Sequence, residues 1–145
     1  MTLLRNTALL IFAIAFAPFA MSNTGEKIES ALIILSSSSL QTQGMAMVLG
    51  NTMQQSGTKV DVLLCDSAGD LALKDHSSPS LKPRNVTPKQ LMMKLQKNGA
   101  SVCVCALYLP NSGASETDLR EGITAAKPPQ IAGLMTNKQV RVFSF

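Results

Sequence analysis

Short runs of apolar residues recur along the chain after residue 30 and predict strands. Residues 31–35 are apolar throughout, which is typical of a strand buried on both faces. Residues 60–64 and 102–107 form similar runs, and residues 122–126 and 140–143 form shorter ones. The pattern therefore predicts about five strands.

Apolar residues at helical spacing lie between these runs. After the first strand they recur every three or four residues, in a helix that ends near Gly57: Met45, Val48, Leu49, Thr52 and Met53. This spacing predicts the apolar face of an amphipathic helix. Residues 66–86 contain Gly, Pro and several Ser, and they predict a long loop.

The next helix has the clearest start signal in the chain. Thr87 is a suitable N-cap, Pro88 suits the first helical position, and Gln90 completes a capping box. The residues expected to form its buried stripe are Leu91, Met92 and Leu95. A last helix opens at Pro128, before the closing strand. Strands separated by helices imply right-handed crossovers, so the sequence predicts an α/β fold with a mostly parallel sheet covered on both faces.

The N-terminus has the pattern of an export signal. Arg5 precedes an apolar run over residues 8–17, long enough for a signal-peptide core and about half the length needed to span a bilayer. A proline ends the run, and small residues suit cleavage near Ser22. We therefore expect a signal peptide over residues 1–22, a single domain over residues 23–145, and a periplasmic or secreted protein without stable membrane insertion after cleavage. A retained N-terminal anchor is the alternative.

Composition argues against a nucleic-acid partner. Aromatic residues make up 4% of the 145 residues, with one Tyr and no Trp, so a platform for stacking bases is not expected. The net charge of +4 comes from Lys and Arg residues that are scattered along the chain rather than clustered on one face. The excess of basic residues therefore indicates an ordinary solvent-exposed surface.

The chain contains three cysteines, Cys65, Cys103 and Cys105, which is an odd number for an exported protein. No C-x-x-C pair is present and His76 is the only histidine, so neither a metal nor a cofactor is expected. Residues i and i+2 of a strand point to the same face, which places Cys103 and Cys105 together, with Cys105 nearer the carboxyl edge of the sheet.

Three polar segments follow strands and should meet at that edge. They are the serine loop (Ser36, Ser37, Ser38 and Ser39), Cys65 with Asp66, and Cys105 with the residues after it. The serine loop precedes a helix, so it could hold an anion or stabilise a thiolate, although helix capping is the commoner role of such residues. Tyr108 could line the same edge or an oligomer interface.

Contact between Cys65 and Cys105 depends on the order of the strands. A first strand lying between them would separate their Cα atoms by two strand spacings, about 9.5 Å, which is too far for a disulfide. Packing is therefore favoured for Cys65, with a disulfide second. Cys105 remains open to a reactive role, to core packing or to a disulfide.

The chain resembles the DsrE/DsrF-like family of small sulfur-relay proteins, which includes the YchN-like proteins. The resemblance covers roughly residues 28–145 and rests on the first strand with its polar loop and helix, on residues 60–66 (VDVLLCD), on residues 97–105 (KNGASVCVC) and on residues 138–145 (KQVRVFSF). It implies a flavodoxin-like three-layer sandwich and homo-oligomers built as trimers or hexamers.

The resemblance also implies a function. In sulfur-transferring members a cysteine at or just after the third strand carries sulfur as a persulfide, and by position this is Cys105, with Cys103 the weaker candidate. The expected partners are then a sulfur-donor or sulfur-acceptor protein. A non-catalytic ligand-binding or assembly module and a thiol-disulfide redox protein are the alternatives.

Overall fold

The structure, a computed structural model, describes residues 28–145. The predicted signal peptide therefore lies outside the described residues. Within them the chain forms five strands: β1 (Ser30–Leu35), β2 (Lys59–Leu64), β3 (Ser101–Val104), β4 (Thr124–Ala125) and β5 (Val140–Ser144). Four α-helices connect them: α1 (Leu40–Gln55), α2 (Pro88–Lys97), α3 (Tyr108–Ser112) and α4 (Pro128–Thr136). Short 3₁₀ segments span Asp66–Ala72 and Glu116–Asp118.

All five strands are parallel, in the order β4-β3-β2-β1-β5. Helices α1 and α2 pack together on one face of the sheet, and α4 contributes Ile131 and Leu134 to the apolar cluster on the other. The predicted α/β, flavodoxin-like sandwich is therefore confirmed. No helix in residues 28–145 is both long enough and apolar enough to cross a bilayer.

The main core lies between the sheet and the pair α1 and α2. Its fully buried side chains include Ile33, Leu35, Val62, Leu64, Met92 and Leu95. The start of α2 is as predicted, because the Gln90 amide donates to Thr87 Oγ1 at 3.0 Å and the Thr87 amide donates to Gln90 Oε1 at 2.9 Å. These two bonds satisfy N–H groups that a helix start leaves open.

The apolar face predicted for α1 is wrong, although the helix itself forms. Met45, Val48 and Leu49 are among the exposed large hydrophobic residues of the chain. The buried side of α1 instead contains Ala46, Met47 and Gly50, and a Cβ atom on Gly50 would lie 3.0 Å from Ile33 Cδ1 and 3.1 Å from Leu95 Cδ2. Small residues let α1 lie close to the sheet, a signal that a search for bulky apolar residues does not detect.

The third strand is shorter than the apolar run that predicted it. β3 ends at Val104, whereas the prediction extended to Leu107. The Tyr108 amide donates to the Cys105 carbonyl at 2.9 Å and turns the chain into α3. Cys105 is therefore the first residue after the strand, and Leu107 is 72% exposed.

Candidate functional site at the carboxyl edge of the sheet

Cys105 lies where β3 meets the carboxyl edge of the sheet. Its amide donates to the Leu64 carbonyl at 2.7 Å, so the backbone is fixed by the ladder with β2. The side chain is half-buried and lines an open cavity of about 420 Å³. The other lining residues come from the 3₁₀ segment after β2 and from α3: Asp66, Ser67, Asp70, Leu107, Tyr108, Asn111 and Ser112. A cavity of this size is large enough for a small molecule or for a side chain of a partner protein.

Tyr108 is fixed on one wall of this cavity. Its hydroxyl donates to Asp70 Oδ1, and its ring packs against Gly69 so closely that any Cβ atom there would overlap the ring. Burial, together with the hydrogen bond to Asp70 and the negative charge of Asp70, raises the pKa of Tyr108 to about 12. The Tyr108 hydroxyl therefore remains protonated at neutral pH and donates its hydrogen bond to Asp70.

Cys65 lies directly beside Cys105, contrary to the separation considered from the sequence. β2 and β3 are neighbours and no strand lies between them. Leu64 pairs with Val104 in the ladder, so Cys65 and Cys105 are the next residues of the two strands. Burial first, and then the neighbouring Cys105 sulfur, raise the pKa of Cys65 to about 12. The edge therefore holds two adjacent thiols.

Cys103 occupies a different environment although it shares the face of Cys105. It lies within β3 opposite Leu63, and its thiol donates to the Val62 carbonyl at 3.4 Å. Burial, with a smaller contribution from the Asp61 carboxylate, raises the pKa of Cys103 to about 11. A thiol that holds its proton so strongly is a weak nucleophile at neutral pH.

The serine loop lies at the same edge, but several of its hydroxyls have partners within the protein. Ser39 accepts from the Thr42 amide as the N-cap of α1, Ser37 accepts from the Ser39 amide at 3.1 Å, and Ser36 donates to the Phe145 carbonyl at 3.2 Å. Ser38 lines a smaller cavity of about 220 Å³. Anion binding by this loop stays a prediction.

Asp70 and His76 were missed as site residues by the sequence analysis. Both line the smaller cavity beside Ser38, and Asp70 also lines the Cys105 cavity. Asp66 lines the Cys105 cavity as well, with its backbone in the left-handed region at φ +46°. From the sequence, Asp66 was expected at this edge because it directly follows Cys65, whereas Asp70 and His76 fell within the predicted long loop. The available signal for Asp70 was that it closely follows the carboxyl end of β2.

Residues 28–145 contain no group of three or more His, Cys, Asp or Glu side chains placed to bind one metal ion. The side chains that line the Cys105 cavity include a thiol, carboxylates and hydroxyls. Of these, the Cys105 sulfur is the thiol that lines the cavity of about 420 Å³.

Comparisons with known proteins agree with this architecture. No protein-family model and no curated protein matches the chain. A structure of MTH1491 from Methanobacterium thermoautotrophicum, a protein of unknown function, is 13% identical with a TM-score of 0.60, and the match covers 80% of this chain and 98% of that one. The crystal structure of YchN from E. coli is 18% identical with a TM-score of 0.61, and the match covers 80% and 99%. These similarities show that the chain has the fold of YchN, as its resemblance to the YchN-like proteins implied.

Proposed function

We propose that this protein carries sulfane sulfur as a persulfide on Cys105. The observation that supports the proposal best is the place of this thiol, directly after an interior strand of the sheet and on the wall of an open cavity of about 420 Å³. The raised pKa values of Cys65 and Cys103 make both of them poorer nucleophiles than an ordinary cysteine. The YchN-like fold agrees with the proposal but does not establish it.

The chemistry requires two thiol exchanges. In the first, the Cys105 thiolate attacks the outer sulfur of a persulfide or polysulfide donor, a new S–S bond forms, and the donor leaves as a thiolate or a shorter polysulfide. In the second, an acceptor thiolate attacks the outer sulfur of the Cys105 persulfide and Cys105 leaves as a thiolate. Each exchange makes one S–S bond and breaks one, so no separate oxidant is required.

The surroundings of Cys105 indicate how a donor would approach. The exposed side chain of Leu107 and the carboxylates of Asp66 and Asp70 border the cavity. These carboxylates slow the approach of small anionic donors such as polysulfide without preventing it, whereas a donor cysteine on a protein can bring its own basic and apolar contacts. The donor class that we propose is therefore a protein-bound persulfide. The export signal and the trimeric or hexameric assembly expected from the sequence stay predictions.

Mass spectrometry of the intact protein tests the carrier role. After incubation with inorganic polysulfide and removal of the donor, the wild-type protein and Cys103→Ser are expected to gain sulfur, because both retain Cys105. Cys105→Ser is expected to gain none. An adduct of unchanged yield on Cys105→Ser, or the absence of any sulfur transfer to the wild type or to variants that retain Cys105, would overturn the proposal.

A further inference from the structure

The ladder between β2 and β3 brings Cys65 and Cys105 within bonding range of each other. The last paired residues are Leu64 and Val104, and the Cys105 amide continues the ladder by donating to the Leu64 carbonyl at 2.7 Å. Neighbouring strands are about 4.8 Å apart. This spacing lies within the range of about 4.4 to 6.8 Å that separates the Cα atoms of disulfide-bonded cysteines.

The two side chains also point to the same side of the sheet. Cys65 follows Leu63 by two residues and Cys105 follows Cys103 by two, so all four share one face, and the three cysteines pack against the apolar cluster on that face. Cys65 and Cys105 are both half-buried and both are free thiols. Cys103, in contrast, lies opposite Leu63 in the ladder.

From this juxtaposition we propose that Cys65 is a resolving thiol for sulfur bound to Cys105. It would discharge the persulfide by forming a Cys65–Cys105 disulfide and releasing hydrogen sulfide. This inference rests on the proposed function, because it concerns the fate of the same persulfide. It adds a second product, inorganic sulfide, to the transfer of sulfane sulfur to an acceptor.

The step balances without an external oxidant. The Cys65 sulfur attacks the inner sulfur of the Cys105 persulfide, and the bond between the inner and outer sulfurs breaks. The outer sulfur leaves with the electron pair and takes up the Cys65 proton, which gives hydrogen sulfide. The sulfane sulfur is thus reduced while the two cysteine sulfurs are oxidised to a disulfide. A dithiol reductant then restores both thiols before another cycle.

The environment of Cys65 makes this step slow at neutral pH. Burial first, and then Cys105, Cys103 and the adjacent Asp66, raise the pKa of Cys65 to about 12, so that only a small fraction of Cys65 is thiolate. The persulfide therefore persists long enough for an acceptor thiol to compete for its outer sulfur. Sulfide release is expected to accelerate as the pH rises toward the pKa of Cys65.

The test follows one anaerobic sulfur-loading reaction with two readouts. Protein is loaded with inorganic polysulfide and freed of donor, and then the intact mass and released sulfide are followed with time. The wild type is expected to lose its added sulfur, to release one equivalent of sulfide for each persulfide lost, and to become lighter by two hydrogen atoms than the reduced protein. Cys65→Ser is expected to keep its sulfur and to release no sulfide.

Matched variants locate the bond and guard against misfolding. Trypsin separates Cys65, on the peptide covering residues 60–74, from Cys103 and Cys105, on the peptide covering residues 98–120. Under non-reducing conditions these two peptides are expected to be linked in the wild type and in Cys103→Ser. Cys65→Ala repeats the test without a polar atom at residue 65, and a cooperative thermal unfolding transition shows that each variant is folded.

The outcomes separate this inference from the function on which it rests. If Cys65→Ser loses sulfur and releases sulfide as fast as the wild type, or if the linkage is made to Cys103, the resolving role is overturned and the carrier role stands. If neither the wild type nor Cys65→Ser ever gains sulfur, and the wild type releases no sulfide, both roles are overturned.

Discussion

The two faces of the sheet differ in how completely they are covered. On the face of α1 and α2, large side chains from strands and helices are fully buried, including Ile33, Leu64, Met92 and Leu95. On the opposite face, α4 has no buried residue of its own, and the buried apolar residues of its cluster are Leu32, Leu63 and Ala126. The three cysteines pack against this second cluster, and Cys105 also packs against the main core.

This difference separates stability from chemistry. Dense packing on the face of α1 and α2 fixes the positions of the strands. The thinner face leaves thiols half-exposed at the carboxyl edge, where a reacting partner has access to them. The cysteines therefore occupy the side of the sheet on which changes are expected to cost the least stability.

The largest expected effect comes from truncating one leucine on each face. Leu95→Ala removes a fully buried side chain and is expected to lower the free energy of unfolding by about 2 to 5 kcal/mol. Leu134→Ala removes a half-buried side chain of α4, and a loss of about 1 kcal/mol is expected because less apolar area returns to water. Urea unfolding measures both. Equal losses of unfolding free energy in Leu95→Ala and Leu134→Ala would mean that the two faces of the sheet contribute equally to stability, contrary to the difference described above.

A smaller effect is expected from Asp61, a carboxylate on the thinner face. Asp61 is 8% exposed, and its Oδ2 has no hydrogen-bond partner among residues 28–145. Burial raises the pKa of Asp61 above the ordinary 3.8, although Lys59 partly opposes the shift. The folded state therefore binds the Asp61 proton more tightly than the unfolded state does. The protonated Asp61 contributes to stability below pH 3.8, and this contribution is lost as the pH rises through the raised pKa.

Asp61→Asn is therefore expected to stabilise the protein at neutral pH, by up to about 1 kcal/mol, and to flatten the fall in stability between acidic and neutral pH. Melting temperatures recorded across that range measure the effect. Glu121→Gln removes an exposed carboxylate and is the control for net charge. If Asp61→Asn is instead less stable than the wild type at neutral pH, favourable interactions in the folded protein must stabilise the ionised carboxylate.

The smallest expected effect concerns the acidic wall of the Cys105 cavity. Asp66→Asn removes one of the two lining carboxylates, and Asn tolerates the left-handed backbone that Asp66 adopts. Loading of Cys105 from polysulfide is expected to speed up by about threefold at low salt, and this gain should shrink at high salt, because salt screens the Asp66 charge in the wild type. Glu121→Gln again controls for net charge. Equal loading rates in the wild type, Asp66→Asn and Glu121→Gln would show that the carboxylates do not influence which donor is used.

Local signals in the sequence predicted the fold more reliably than long-range ones. The start of α2 was predicted correctly because Thr87 and Gln90 are close in sequence and bond to each other's backbone. The buried face of α1 was not predicted correctly. Gly50 fits there because of its small size against Ile33 and Leu95, which lie on other elements.

The candidate site shows the same division. That Cys105 would lie near the carboxyl edge followed from one apolar run and its end. That Cys65 would be its neighbour depended on which strands pair, and the strand order is set by packing across the whole sheet. The bond from Tyr108 to Asp70 joins residues 38 positions apart, and no local pattern in the sequence indicates it.

The strands at the two margins of the sheet have a consequence for aggregation. β4 contains only Thr124 and Ala125, so it presents a very short row of backbone groups that another chain could pair with. β5 is longer, and it carries the exposed, charged side chain of Arg141 at its second position. Unwanted joining of copies by extension of the sheet is thus opposed at one margin by length and at the other by charge.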